Sequence, residues 1–164
     1  SKAPIEDAKK FLADKGVEVV EKTGTTTDEV NQAVDALIAE KVDAIFTPTD
    51  NTIQKAELSF YEKLQKAKIP HYGGADSFAL NGAFAGYGVD YVQLGKATAD
   101  MVDEVLHGGK ETATLPVQTF DNGIATVNTD TAEKLGFSMD ELKEVFKPYC
   151  TKVEEIKTNQ EFAK

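Results

Sequence analysis

Residues 42–76 read VDAIFTPTDNTIQKAELSFYEKLQKAKIPHYGGAD, and this stretch decides the fold class. It opens on an apolar run, ending at Pro48, that is typical of a strand covered on both faces. Apolar residues at helical spacing then extend from Thr52 to Lys68, and a second strand begins at Ile69 and stops at two glycines. A strand, a helix and a strand joined by short connections predict two parallel strands of an α/β sheet.

Strand and helix patterns also alternate on both sides of this stretch. The predicted helices cover residues 4–15, 26–38 and 91–107, the predicted strands cover 17–24 and 83–90, and a turn covers 77–82. We therefore expect a doubly wound, parallel α/β sheet.

The pattern changes in the C-terminal third of the chain. Residues 115–120 and 124–128 predict a β-hairpin, because the sequence DNG at 121–123 is a strong turn sequence. A short helix over 129–137 and a charged, helical tail over 149–164 complete the prediction.

The charge balance excludes one class of partner. The chain has 28 acidic and 18 basic residues, every basic residue is Lys, and the net charge is -10. Such a surface repels phosphate backbones and lacks the guanidinium group that reads guanine, so we expect no nucleic-acid partner. Cys150 is the single cysteine, which excludes an internal disulfide and a cysteine-based zinc site.

Three loops are predicted at the carboxyl ends of the strands, where open α/β sheets bind ligands. They cover residues 47–52, 73–77 and 86–91, and each combines polar or acidic residues with Gly, Pro or an aromatic residue. Asp76 is favoured as a ligand contact because the short turn after it offers no long helix to cap. The candidate ligand-binding residues are Thr49, Asp50, Asn51, Asp76, Ser77, Tyr87, Gly88 and Asp90.

Several of these residues also have a purely structural interpretation. Residues 50–52 make a good helix cap, and that alternative stays open. Tyr87 could be a core aromatic, and for Tyr91, on the apolar stripe of its helix, we favour the core. We expect His71 within a strand and His107 at a helix end to be structural.

Motifs for catalysis are absent from the sequence. It contains no G-x-S-x-G, no P-loop, no G-x-G-x-x-G before a helix and no H-E-x-x-H. Two histidines outside the loops are a poor basis for a catalytic triad. We therefore expect a binding protein with no turnover, no cofactor and no metal.

The segments VDAIFTPTDNTIQKA and IPHYGGADSFALNGAFAGYGVDYVQLGKATADMVDEVLHGG, with the closing ATVNTDTAEKLGF, resemble one family of ABC-transporter substrate-binding proteins. It is the family assigned to tryptophan and tyrosine transport. The resemblance implies the fold of a type I periplasmic binding protein, in which two α/β lobes joined by three crossovers close on a ligand. On this resemblance, residues 1–148 would form the C-terminal lobe with crossover segments, and 149–164 a charged tail.

The resemblance also implies partners and parts that are not in this sequence. A family member would have a signal peptide, a lipid-anchored Cys, an extracytoplasmic location, an N-terminal lobe and a membrane permease as partner. Because the chain opens abruptly on a helix at Pro4, we expect that something upstream has been removed. Helix 91–107 would pack toward the missing lobe, so we expect the isolated chain to self-associate through it or to be ordered by a separate upstream piece.

The ligand chemistry follows from the residues available. With no Arg, a ligand carboxylate would be met by backbone amides, Lys, or the hydroxyls of Thr49 or Ser77, and Asp76 or Asp50 could pair with an amine. This favours an amino acid, and the family suggests an aromatic one. Two alternatives stay open: a sugar-binding or other small-molecule lobe of the same superfamily, and a phospho-accepting receiver domain, for which Lys68 lies at the wrong end of its strand.

Overall fold

A five-stranded sheet organises the chain, which the computed structural model describes over residues 2–119 and 123–161. The strands lie side by side in chain order: β1 Ile45–Thr47, β2 His71–Gly73, β3 Ala85–Val89, β4 Gly123–Asn128 and β5 Lys152–Ile156. The first three are parallel, β4 is antiparallel to β3, and β5 is parallel to β4. The α/β fold class is as predicted, and the reversal at β4 departs from a parallel sheet.

Helices lie on both faces of this sheet. They are α1 Lys2–Ala13, α2 Thr27–Ala39, α3 Asn51–Ala67, α4 Asp76–Leu80, α5 Tyr91–Leu106, α6 Thr129–Leu135 and α7 Met139–Phe146, with 3₁₀ turns at Thr112–Thr114 and Lys147–Tyr149. The Thr26 side chain accepts from the Glu29 amide, as in the predicted capping box, and the Glu29 carboxylate accepts from the amide of Thr25, one residue before the N-cap. Lys68 ends α3 in the left-handed conformation, with φ of 61°.

The core consists of two apolar clusters, one on each face of the sheet. The first joins α2 and α3 to β1 through Val30, Val34, Ile45, Ala56, Phe60, Leu64 and Ile69. The second joins β3 and β4 to α6 and α7 through Phe84, Ala85, Val127, Ala132 and Leu142. Burial of a large apolar side chain in such clusters is worth about 1.5–3 kcal/mol.

The strand predicted over residues 17–24 is wrong. This segment forms no regular secondary structure and pairs with no strand of the described residues, and Val17, Val19 and Val20 are exposed. The sheet ends at β1, whose only neighbour among the described strands is β2. A segment with no partner cannot form the ladder of hydrogen bonds that defines a strand.

Two C-terminal predictions also need correction. Residues 115–119 form no strand, and the DNG turn falls partly outside the described residues, while β4 forms as expected. Over residues 149–161, the described part of the tail, the 3₁₀ turn that ends at Tyr149 is the only helical element, and the chain then forms β5, which pairs with β4. Val153 of β5 packs against the second cluster, and that contact explains why a charged segment becomes a strand.

Helix α5 makes no buried contact with the sheet. None of its residues is buried, and Tyr91, for which the core was favoured, is 68% exposed. Strand β4 begins at Gly123, which is paired with Val89 at the end of β3. The chain has therefore not crossed back to the start of β3, and β4 runs antiparallel to it. Within the described residues, no helix combines the length and apolar character needed to cross a membrane.

Candidate functional site

The three loops predicted to form the site do meet. The Thr49 hydroxyl donates to the Gly74 carbonyl over 2.8 Å, which joins the loops after β1 and β2. A Cβ on Gly74 would lie 2.5 Å from the Thr49 nitrogen, and one on Gly86 would lie 2.1 Å from the Ala75 carbonyl oxygen. The backbones of these loops therefore lie in direct contact, and a side chain larger than that of glycine would not fit between them.

Asp50 and Asp90 act as helix caps in this structure. Asp50 Oδ1 accepts from the amides of Thr52 (2.9 Å) and Ile53 (3.1 Å) at the start of α3. Asp90 Oδ1 accepts from the two amides at the same positions of α5, each over 3.0 Å. Asp50 therefore caps α3, as the structural interpretation of residues 50–52 predicts.

Asp76 lies where the loops after β2 and β3 approach each other. It is the first residue of α4, a position after the Ala75 N-cap, and its Oδ1 accepts from the Ser77 amide over 2.8 Å. Gly88 lies beside it, because a Cβ there would be 3.4 Å from the Asp76 nitrogen. The side chain is half-buried, so it is oriented by the fold while still open to solvent.

An apolar groove of about 380 Å³ opens beside these loops. Thr49 and Tyr87 of the predicted site line it, and the other lining residues are Pro4, Phe46, Pro48, Tyr72, Gly73, Gly74, Ala85, Gly86, Ala125 and Phe146. The aromatic members share one face because Phe46 is paired with Tyr72 in register, and Tyr72 with Ala85. Tyr87 was predicted at the site, whereas Phe46 and Tyr72 were not, since their place in the wall depends on the register between strands.

Tyr87 is fixed at the rim of the groove. Its hydroxyl accepts from the Gly123 amide at the start of β4 over 2.7 Å, and the residue remains 43% exposed. The deeper Tyr72 packs edge-on against Phe84, with ring centroids 5.4 Å apart, and burial raises the pKa of its hydroxyl. Asn51 and Ser77 lie at the starts of α3 and α4; Asn51 is exposed and Ser77 half-buried.

The two histidines are held by carboxylates away from the groove. His71 is buried and bonded to Glu57, and His107 is exposed and pairs with Asp103 over 2.6 Å. Lys68 follows the last residue of α3, about 25 Å along the helix from Asp50, and it contacts the Lys134 carbonyl. In residues 2–119 and 123–161, no three His, Cys, Asp or Glu side chains are grouped as metal ligands.

Known proteins match both the sequence and this fold. Residues 1–147 match the model of a family described as "ABC transporter substrate binding protein". A curated relative, the "Tyrosine-binding protein" of Clostridioides difficile (strain R20291), is 33% identical over 135 residues, which are 82% of this chain and 39% of the relative.

Solved structures agree with these sequence matches. A Clostridium difficile substrate-binding protein with adhesive properties, in its ligand-free, open form, has a TM-score of 0.77 at 28% identity and is matched over 96% of this chain and 50% of its own. An ABC domain from Streptococcus pneumonia in complex with L-Trp has a TM-score of 0.73 at 30% identity, over 93% of this chain and 50% of its own. The chain therefore spans half or less of the length of these relatives. It belongs to the ABC transporter substrate-binding protein family.

Proposed function

We propose that this chain forms one wall of the ligand site of an ABC importer's substrate-binding protein, and that the ligand is an aromatic amino acid. The observation that carries the proposal is the meeting of three polar loops beside a groove lined by aromatic side chains. A polar end next to an apolar, aromatic wall matches the two ends of such a ligand.

Each part of the site has a role in this proposal. Asp76 pairs with the ligand amine, and the Ser77 hydroxyl with nearby backbone amides receives its carboxylate, while the Thr49 hydroxyl joins two of the loops by donating to the Gly74 carbonyl. The aromatic side chain lies in the groove against Tyr72 and Tyr87. The relatives named for tyrosine and bound to L-Trp support this choice of ligand class.

The rest of the site comes from outside this chain. Relatives about twice as long support an arrangement in which residues 1–148 are the C-terminal lobe and a second lobe closes on the ligand. In the same proposal α5 packs toward that second lobe, the protein is an extracytoplasmic lipoprotein, and it delivers its ligand to a membrane permease without turnover.

Calorimetry on the full-length protein that contains this sequence tests the proposal. We expect L-tryptophan or L-tyrosine to bind with micromolar or better affinity, and glycine, a monosaccharide, and acetyl phosphate with Mg²⁺ to give no heat. Glycine is the matched control because it has the same amine and carboxylate without the aromatic side chain. Binding of the sugar alone, or of acetyl phosphate alone, would replace the proposal with the corresponding alternative.

A further inference from the structure

Three polar side chains form a connected chain beneath the candidate site. Glu57 on α3 and His71 on β2 are 0% and 2% exposed, and Glu57 Oε1 lies 2.9 Å from His71 Nδ1. His71 Nε2 lies 2.9 Å from the hydroxyl oxygen of Thr47, the last residue of β1. A helix and two strands are thus linked through one imidazole.

The surroundings of this chain are apolar. The rings of Phe60 and Phe78 lie 5.9 Å and 5.8 Å from the imidazole ring, centroid to centroid. A Cβ on Gly73, the residue paired with Thr47, would lie 2.4 Å from Phe78, so this face of the sheet is tightly packed. Glu57 Oε2 has no hydrogen-bond partner within the described residues.

This environment determines where the proton is. An ionised Glu57 beside a neutral imidazole would bury a net charge with an unpartnered oxygen, at a cost of several kcal/mol. One further proton makes the pair neutral overall. Burial raises the pKa of Glu57, and this effect exceeds the lowering of that pKa by His71. A carboxyl hydrogen on Oε2 would have no acceptor among the described residues, so the proton lies between Glu57 Oε1 and His71 Nδ1, and His71 Nε2 carries the ring's other hydrogen and donates it to Thr47 Oγ1.

We propose that Glu57 and His71 position Thr47 and thereby fix the loop that carries Thr49 and Asp50 into the ligand site. The inference rests on the proposed function in that this loop contacts the ligand. Thr47 is followed by Pro48, which has no amide hydrogen, so the side chain of Thr47 anchors the strand end where the backbone cannot donate. Glu57, His71 and Thr47 are positioning residues, since none of them lines the groove.

Threonine variants test the positioning. Thr47→Val keeps the shape and removes the acceptor, and Thr47→Ser restores it. Thr131→Val is the matched control, because the buried Thr131 hydroxyl donates to the Gly82 carbonyl and accepts from Gln65 in another part of the core. We expect Thr47→Val to weaken L-tryptophan or L-tyrosine binding about tenfold, Thr47→Ser to recover most of it, and Thr131→Val to leave the affinity unchanged.

An NMR readout keeps the inference independent of the ligand. In the 164-residue chain, Thr47→Val should shift the amide resonances of residues 49–52 and Thr131→Val should not. At pH 7, the ¹⁵N spectrum of His71 should show a protonated Nε2. Equal effects of Thr47→Val and Thr131→Val on the loop amides, or an unprotonated Nε2, would overturn the inference. If the unmodified protein bound no amino acid, the proposed function would fail, and the amide comparison would still decide the positioning.

Discussion

The aspartates that follow β1, β2 and β3 differ in what their side chains do. Asp50 and Asp90 each satisfy two amides at the start of a long helix. Asp76 accepts from one amide, that of its own neighbour Ser77, and it caps no long helix. Of the three carboxylates, Asp76 makes the fewest hydrogen bonds to backbone amides, and it is therefore the best placed to pair with a ligand amine. Asp50 and Asp90 matter mainly for the stability of their helices.

Substitution should separate these two roles. Asp76→Ala is expected to cost on the order of 2 kcal/mol of amino-acid binding, about thirtyfold, with little change in the unfolding temperature. Asp90→Ala is the matched control and should cost about 1 kcal/mol of stability by removing the cap of α5. Calorimetry and thermal unfolding of both variants measure the difference, and unchanged affinity in Asp76→Ala would reject its role.

The buried carboxyl of Glu57 should make stability depend on pH. Burial raises its pKa above the usual 4.5, and His71 is the one titratable group acting on it among the described residues. A raised pKa means that the folded state holds a proton that the unfolded state has released. Relative to Glu57→Gln, the unmodified chain should therefore lose about 1.4 kcal/mol of unfolding free energy per pH unit as the pH rises above 4.5, until the folded carboxyl ionises.

Urea unfolding of both proteins between pH 5 and pH 8 measures this slope. Glu133→Gln, which removes an exposed carboxylate on α6, serves as the control and should leave the slope unchanged. Parallel pH curves for Glu57→Gln and the unmodified chain would mean that the folded carboxyl ionises near its ordinary pKa.

Only part of the site could be predicted at the residue scale. The loops were found because strand ends, glycines and polar residues are local features of the sequence. Tyr87 was among the predicted residues, but Phe46 and Tyr72 were missed because they join it through strand register, which single-sequence patterns do not contain. The Glu57 and His71 pair was missed for the same reason, although His71 was expected to lie within a strand, as it does.

At the scale of elements, helices were easier to predict than strands. The periodicity of α3 and the cap of α2 depend only on residues close together in the sequence, and both helices formed as expected. Strand formation depends on a partner: residues 17–24 have the right composition but no neighbour, while the charged β5 forms because β4 lies beside it. Sequence alone cannot supply the partner.

The C-terminal residues should prove essential to the fold. The Asn81 side chain donates to the Asn159 carbonyl over 2.8 Å, and the Asn128 side chain donates to the Thr158 hydroxyl over 2.9 Å. Removing residues 151–164 would take away β5 and leave both buried amides short of a partner, at about 1–3 kcal/mol each. We expect this truncation to lower the unfolding free energy by more than about 3 kcal/mol in urea titrations.

At the scale of the whole molecule, the reversal of the sheet and the exposure of α5 have one origin. A parallel crossover helix is normally buried against its sheet, whereas α5 has no buried residue and lines a groove together with the segment after it. Val102 and Leu106 of α5 are 51% and 70% exposed, and Val117 beside them is 90% exposed. A contiguous apolar surface of this kind is typical of an interface.

The 164-residue chain is therefore expected to associate through α5 when it is alone. Light scattering at micromolar concentration should give a dimer or larger species, and Val102→Glu with Leu106→Glu should give a monomer, because burying two like-charged side chains opposes the contact. Val145→Glu on α7 is the matched control, since Val145 is also exposed, at 60%, but lies on another helix. Mass spectrometry of the same sample identifies any upstream piece that covers α5 in place of a second copy. A monodisperse monomer with no accompanying fragment would show that the α5 surface is stable in water and needs no partner.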